Sequence, residues 1–230
     1  MSEQDVAGLA LIAAPILFNV CFGLLAARFD YPDILRRPTA EVLERFRAGG
    51  TELVLIWWAF TLSALFFSAV VVLLAIAVGD ADGTVVLLGA VAGILASIVQ
   101  FLGLVRWPFL VPYLARESAA AGPGSARGEA VNVVFEATHR YLGVAVGEHL
   151  GYLLTGIWAI LAGVAILGSS ALAGWLGVPG LAIGALLVAG SLEFVGRNEE
   201  SGWELVGAVV PIAYIAWSLW LLVLGLALLL

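Results

Sequence analysis

The run Val134-Phe-Glu-Ala-Thr-His-Arg-Tyr-Leu-Gly-Val-Ala-Val-Gly-Glu-His-Leu-Gly-Tyr152 gathers most of the ionisable side chains that lie inside a long apolar stretch of this sequence. At 100° per residue, Glu136, His139 and Arg140 share a helix face with Gly143, Gly147 and Gly151. That face is charged at one end and becomes a G-x-x-x-G-x-x-x-G groove further along. Small residues at that spacing let another helix approach closely, either from this chain, a second copy or a partner. They equally leave room for a ligand whose polar end meets the charged entrance. Glu148, Tyr152 and Thr155 form an adjoining stripe, and Glu148 falls about 12 Å beyond Arg140 along the axis. A carboxylate that deep in an apolar segment must be neutralised or paired. Arg106, in Leu104-Val-Arg-Trp-Pro-Phe-Leu-Val-Pro112, is the expected partner, so Arg106 and Glu148 are expected to share one buried polar network.

Gln100, Glu193 and Asn19 are further candidates for that network. Asn19 follows Pro15 by one turn and could instead bond a carbonyl at the proline kink. His149 projects about 100° from Glu148 and is expected to make a helix-packing hydrogen bond. Glu136-x-x-His139 has the spacing of carboxylate–histidine metal sites in bundles. Such sites need a second helix of the same kind, and the chain has two histidines. His139 and His149 fall about 15 Å apart on one helix, too far for one haem. No metal is therefore assigned, and the cofactor is left open. Phosphate-binding loops, Ser-His-Asp arrangements, zinc spacings and basic nucleic-acid patches are absent from the sequence.

The elements carrying these residues follow from composition. Hydrophobic residues make up 63% of the chain and charged residues 12%, with a mean hydropathy of +1.09. Soluble domains are nearer half apolar and a quarter charged, so this chain must use lipid as its solvent. Apolar runs near 6–28, 52–78, 84–107, 141–167, 171–193 and 205–230 each approach the roughly 20 residues that cross a bilayer as a helix. Pro179-Gly180 interrupts the fifth. The runs do not alternate as barrel strands would. The expected fold is one all-α membrane domain, a six-span bundle over 1–230.

The segment 7–27 is too long for an ordinary signal-peptide core, and Met1 to Val6 has no Lys or Arg, so it is read as the first span. Cys21, the one cysteine, lies inside it. The net charge of −7 says less than its distribution. There is no Lys, and every Arg falls near the first, third or fifth loop. Cytoplasmic loops carry the Arg excess, which puts both termini on the non-cytoplasmic side. In the first loop, Thr39 is expected to cap a short helix that Gly49 ends, burying Val42, Leu43 and Phe46 and pairing Glu41 with Arg45. The small-residue stretch 115–128 reads as a flexible cytoplasmic tether, with a helix restarting near Glu129. Three spans on each side of it would run in opposite orientation, as transporter halves do, although no motif is shared between them. Trp57, Trp58, Trp107, Trp175, Trp203, Trp217 and Trp220 suit interfacial belts, the last two in the outer half.

The runs Leu102-Gly-Leu-Val-Arg-Trp-Pro-Phe-Leu-Val-Pro112 and His139-Arg-Tyr-Leu-Gly-Val-Ala-Val-Gly-Glu-His-Leu-Gly151 resemble those of a bacterial family of six-span membrane proteins built on a domain of unknown function. The resemblance covers nearly the whole chain and implies the same six-span fold, without an activity. The residues themselves point first to a cytoplasm-facing polar cavity in a multi-pass protein of the bacterial inner (plasma) membrane. That cavity would bind an amphipathic or lipid-like small molecule, to transport, modify or sense it. Arg106 and Arg140 would hold an anionic head, with Glu148 as hydrogen-bond partner. A non-catalytic partner or regulatory subunit is the alternative, and a metal- or haem-dependent oxidoreductase a second.

Overall fold

The computed structural model describes residues 2–122 and 124–230, and all its regular structure is helical among those residues. The chain runs α1 (Glu3–Phe29), α2 (Thr39–Ala48), α3 (Gly50–Ala77), α4 (Gly83–Phe109), α5 (Val111–Ala120) and α6 (Ala126–Thr138). A π-helical stretch, His139–Leu150, then joins α6 to α7 (Gly151–Gly168), and α8 (Gly177–Gly190) and α9 (Glu204–Leu229) follow. Five helical stretches are long and apolar enough to cross a membrane: α1, α3, α4 with α5, α6 through α7, and α9. The segment Gly174–Gly190 is a shorter apolar helix. Their outer faces stay hydrophobic, with Leu87 at 64% and Ile212 at 64% exposure. Patches of this kind are tolerated where lipid covers them.

The long helices close into a ring. α1 lies between α3 and α9, α3 packs on α4, α4 on the π stretch and α7, α7 on α8, and α8 on α9. Glycines set the closest crossings. A Cβ at Gly8 would stand 2.8 Å from the Gly225 carbonyl oxygen, one at Gly103 2.6 Å from the Gly147 Cα, and one at Gly156 2.6 Å from the Gly184 carbonyl oxygen. In lipid, where burial of apolar area gives little drive, such backbone contact is what holds helices together.

The two ends of the ring differ. At one end lie Asp80, Asp82 and Ser169; Asp80 accepts hydrogen bonds from both Ser169 and Ser170 side chains and from the Ser170 N–H at 2.7 Å. Those bonds hold its carboxyl down at about 2 and tie the α3–α4 turn to the turn after α7. The adjoining half of the interior is filled by Phe67, Trp158, Trp217 and Trp220. The arginines gather at the other end. There Trp57 and Trp107 stack at 4.4 Å inside a box of Phe29, Phe46 and Phe60. Trp57, Trp107, Trp217 and Trp220 are thus core residues and not belt residues. Their large apolar area wins over their single polar N–H.

The first loop departs from expectation in detail. Val42, Leu43 and Phe46 are buried, on a helix packed against α5 and α6. Pro38, not Thr39, holds the N-cap position, and no side chain caps it. Glu41 pairs with Arg37 at 2.6 Å, which leaves Arg45 to approach Asp30 at 3.9 Å. The turn into α3 is made at Gly50, whose φ of +57° is in the left-handed region that favours glycine. The expected tether is mostly helix, since α5 reaches Ala120 and α6 begins at Ala126 with Ser125 as cap. Arg127 pairs with Glu117 across the link. Within the tether, Pro123 lies outside the described residues.

The glycine crossings make a sharp prediction. Gly156→Val should lower the thermal unfolding midpoint in detergent strongly, because its Cβ meets backbone on α8. Gly23→Val, where a Cβ meets nothing within 4 Å, should leave the midpoint nearly unchanged. Equal effects would overturn the close α7–α8 contact.

Candidate functional site

The interior at the arginine end is where the polar groups meet, and a local change in helix type arranges them. Over His139–Leu150 the backbone bonds follow the π pattern, i to i+5, for 12 residues. Such helices are rare, are mostly single turns, and recur at functional sites. A wider turn rotates each residue by less than 100°, so the α-helical projection of this segment does not hold. Gly143, Gly147 and Gly151 still face one way, towards α4. A Cβ at Gly143 would strike the Arg106 guanidinium at 2.6 Å, and one at Gly151 the Gln100 side chain at 2.9 Å. Gly147 meets Gly103 directly. The glycine groove is therefore occupied by this chain's own α4, with Arg106 and Gln100 seated in two of its notches.

Arg106 is 7% exposed. It donates to the Gly103 carbonyl oxygen and lies over the Trp107 ring at 5.4 Å. Its Nη2 is 3.1 Å from His139 Nδ1. A guanidinium has no acceptor, so Nδ1 must accept, and His139 is the neutral tautomer with its proton on Nε2. The imidazole also stacks on Phe135, centroids 6.2 Å apart. Gln100 donates to the Ala96 carbonyl at 3.2 Å and to the Thr155 hydroxyl at 3.1 Å.

Glu148 is part-exposed. Among the described residues it makes no ion pair within 4.0 Å. It is within electrostatic reach of Arg106, Glu193, Tyr31, Tyr152 and Tyr214. Three of the chain's five tyrosines thus converge on it. Tyr152 lies edge-on to Tyr214 at 5.5 Å, Tyr214 stacks on Phe18 at 6.1 Å, and Phe22 meets Tyr31 at 5.4 Å. These residues are part-exposed too, and the π stretch packs on α4, α6 and α7 but not substantially on α1 or α9. Rings from α1, the turn after it, α7 and α9 thus pack on one another in this region. A cavity of about 20 Å³ lies among Ser63, Gln100, Thr155, Tyr214 and Trp217, large enough for one water.

Several candidate residues lie elsewhere. Arg140 pairs with Glu199 at the exposed surface and does not join Arg106. Glu136 is exposed. His149 Nδ1 is 2.6 Å from the Ser191 carbonyl oxygen, binding the π stretch to the end of α8. Asn19 donates to the Pro15 carbonyl at 2.7 Å and to the Ser218 hydroxyl at 3.0 Å, joining α1 to α9. No three His, Cys, Asp or Glu residues gather into a metal-holding group among the described residues. Phe18, Phe22, Tyr31 and Tyr214 were not legible as site residues. The one available signal was that Tyr31 follows the arginine end of the first span, while Tyr214 lies near the middle of the last one.

These features define a polytopic, all-helical membrane-embedded protein. The chain belongs to the family described as domain of unknown function (DUF4386), which matches residues 6–225. No curated protein and no solved structure matches it.

The Arg106–His139 bond can be tested by acceptor replacement. His139→Phe leaves one guanidinium N–H buried without a partner and should destabilise the fold by about 1–3 kcal/mol. His139→Gln keeps an acceptor and should recover much of that loss in thermal unfolding. Equal losses would mean that the imidazole packs without accepting.

Proposed function

We propose that the protein binds an amphipathic or lipid-like small molecule in the lumen at its arginine end, with Glu148 as the polar anchor. The observation that carries this reading is Glu148 itself, a carboxylate within electrostatic reach of three tyrosines and without an ion-pair partner among the described residues. Leaving such a group unsatisfied is costly, and intramembrane carboxylates mark ligand and ion sites by default. The small cavity beyond Gln100 leaves no room for a large ligand to penetrate deeper. A molecule with its polar end in the lumen and its apolar part towards lipid fits that shape. The glycine groove cannot contribute, since α4 fills it.

The membrane setting we infer is the bacterial cytoplasmic membrane, crossed six times, with both termini outside and the lumen open to the cytoplasm. The short element supports a sixth span. Its 3 residues of 3₁₀ helix and 14 of α-helix reach roughly 27 Å, close to the hydrocarbon thickness of about 30 Å. The arginine asymmetry supports the orientation. A phosphatase that works only outside the cytoplasm should be active when fused after Leu230 and inactive when fused within the α5–α6 link. The opposite pattern would invert the topology.

Ligand binding is tested by native mass spectrometry of the protein released from mild detergent. Wild type should carry a discrete additional mass, and Glu148→Gln should lose it by about ten-fold or more in occupancy, as expected for a bond to a charged group. Bare polypeptide in both would overturn the reading.

A further inference from the structure

We propose that the bundle holds one resident water at its centre, which accepts a hydrogen bond from the Trp217 indole and donates one to the Gln100 side-chain oxygen. A buried indole N–H usually finds an acceptor. Trp220 does so in this bundle, donating to the Leu176 carbonyl oxygen at 2.8 Å. Trp217 is 6% exposed, and its Nε1 has no hydrogen-bond partner among the described residues. Its side chain borders the cavity of about 20 Å³, to which Ser63, Gln100, Thr155 and Tyr214 bring polar groups. Trp57 Nε1 is likewise buried without a partner, but Trp57 does not border that cavity. It lies edge-on to the rings of Phe29 and Tyr31, whose faces are weak acceptors.

The hydrogen-bond inventory of the cavity selects water over other occupants. Gln100 Nε2 donates to the Ala96 carbonyl at 3.2 Å and to the Thr155 hydroxyl at 3.1 Å. Both amide donors are thereby used, and Oε1 is left to accept. The Ser63 hydroxyl donates to the Phe60 carbonyl at 2.6 Å, so its oxygen too can accept. A cation would give the Trp217 N–H nothing to donate to, and an anion would give the oxygens nothing to accept. An apolar occupant would satisfy neither. Water does both, and it needs roughly 10–15 Å³ and two to four polar partners. Ser63 and Trp217 fall at the middle of α3 and α9, far from headgroups and bulk solvent. Polar groups at that depth must be satisfied from within the bundle. The water also joins α4 to α9 across the ring, two helices without substantial contact of their own.

The test is a rotating-frame NMR measurement of water–protein contacts on the full chain in lipid nanodiscs, with isotopically labelled tryptophan indoles. The Trp217 signal is identified by its loss in Trp217→Phe, or in Trp217→Tyr should the first variant not fold. In wild type the Trp217 Nε1–H should show a dipolar cross-peak at the water frequency, opposite in sign to chemical exchange. The Trp220 Nε1–H, bonded to Leu176, should show none. No cross-peak at Trp217, or equal cross-peaks at both indoles, would overturn the proposal. Tyr214→Phe and Thr155→Val each remove a bordering hydroxyl proton, and the cross-peak should survive both. Its loss in either would assign the signal to that hydroxyl and overturn the water. Gln100→Leu removes the acceptor and should abolish the cross-peak, whereas full intensity there would overturn the bridge to α4.

Discussion

The guanidinium of Arg106 inside an apolar ring is the group around which this bundle is organised. A charge at that depth costs several kcal/mol unless its N–H groups find acceptors. Its donors go to the Gly103 carbonyl one turn earlier on its own helix and to His139 on the neighbouring one. Both bonds need the two helices in contact. The contact exists because Gly103 faces Gly147 and because Gly143 leaves the space that the guanidinium fills. Side chains at those three positions would push α4 and the π stretch apart and strand the charge.

The π stretch follows from the same constraint. Within it, glycines four residues apart stay on one side and face α4. It also begins at His139, the residue that must meet Arg106, and ends at Leu150, next to the Gly151 notch that takes Gln100. The π-helical stretch thus coincides with the polar cluster, and among the described residues no other segment has π bonding. The rest of the ring, in which α7, α8, α9 and α1 cross on glycine with tryptophan inside, uses ordinary α-helix.

The periodic and compositional features were legible in the sequence. The apolar runs 6–28, 52–78 and 205–230 matched their helices to within a few residues, because length and hydropathy are one-dimensional properties set by the bilayer. The third and fourth lie within helical stretches that continue beyond them to Ala120 and back to Ala126. That Arg106 would need compensation inside the bundle was also readable, and the structure puts Glu148 within its electrostatic reach but not in contact with it. The partners were not. Arg106 bonds His139 directly and Glu148 only at a distance, because the rotation per residue changes where the π stretch begins. Arg140 finds Glu199, 59 residues away in sequence, and His149 finds a backbone carbonyl that no pattern of side chains announces. Trp217 and Trp220 looked interfacial by type, yet the ring closes over them. That closure depends on glycines at 8 and 225, at opposite ends of the chain.

The division of the interior into a dry half and a polar half has a physical reason. α1 and α9 meet most closely through Gly8 and Gly225, at the end away from the arginines, and the core there is packed with aliphatic side chains around Phe67, Trp158, Trp217 and Trp220. Towards the arginine end the π stretch packs on α4 without substantial contact to α1 or α9. The space left there must be lined by groups that tolerate both lipid and water. Tyrosine and phenylalanine rings meet that requirement, since a ring is apolar in body and electron-rich on its face. Glu148 lies beside those rings without an ion pair among the described residues, so the fold leaves its carboxylate uncompensated at close range.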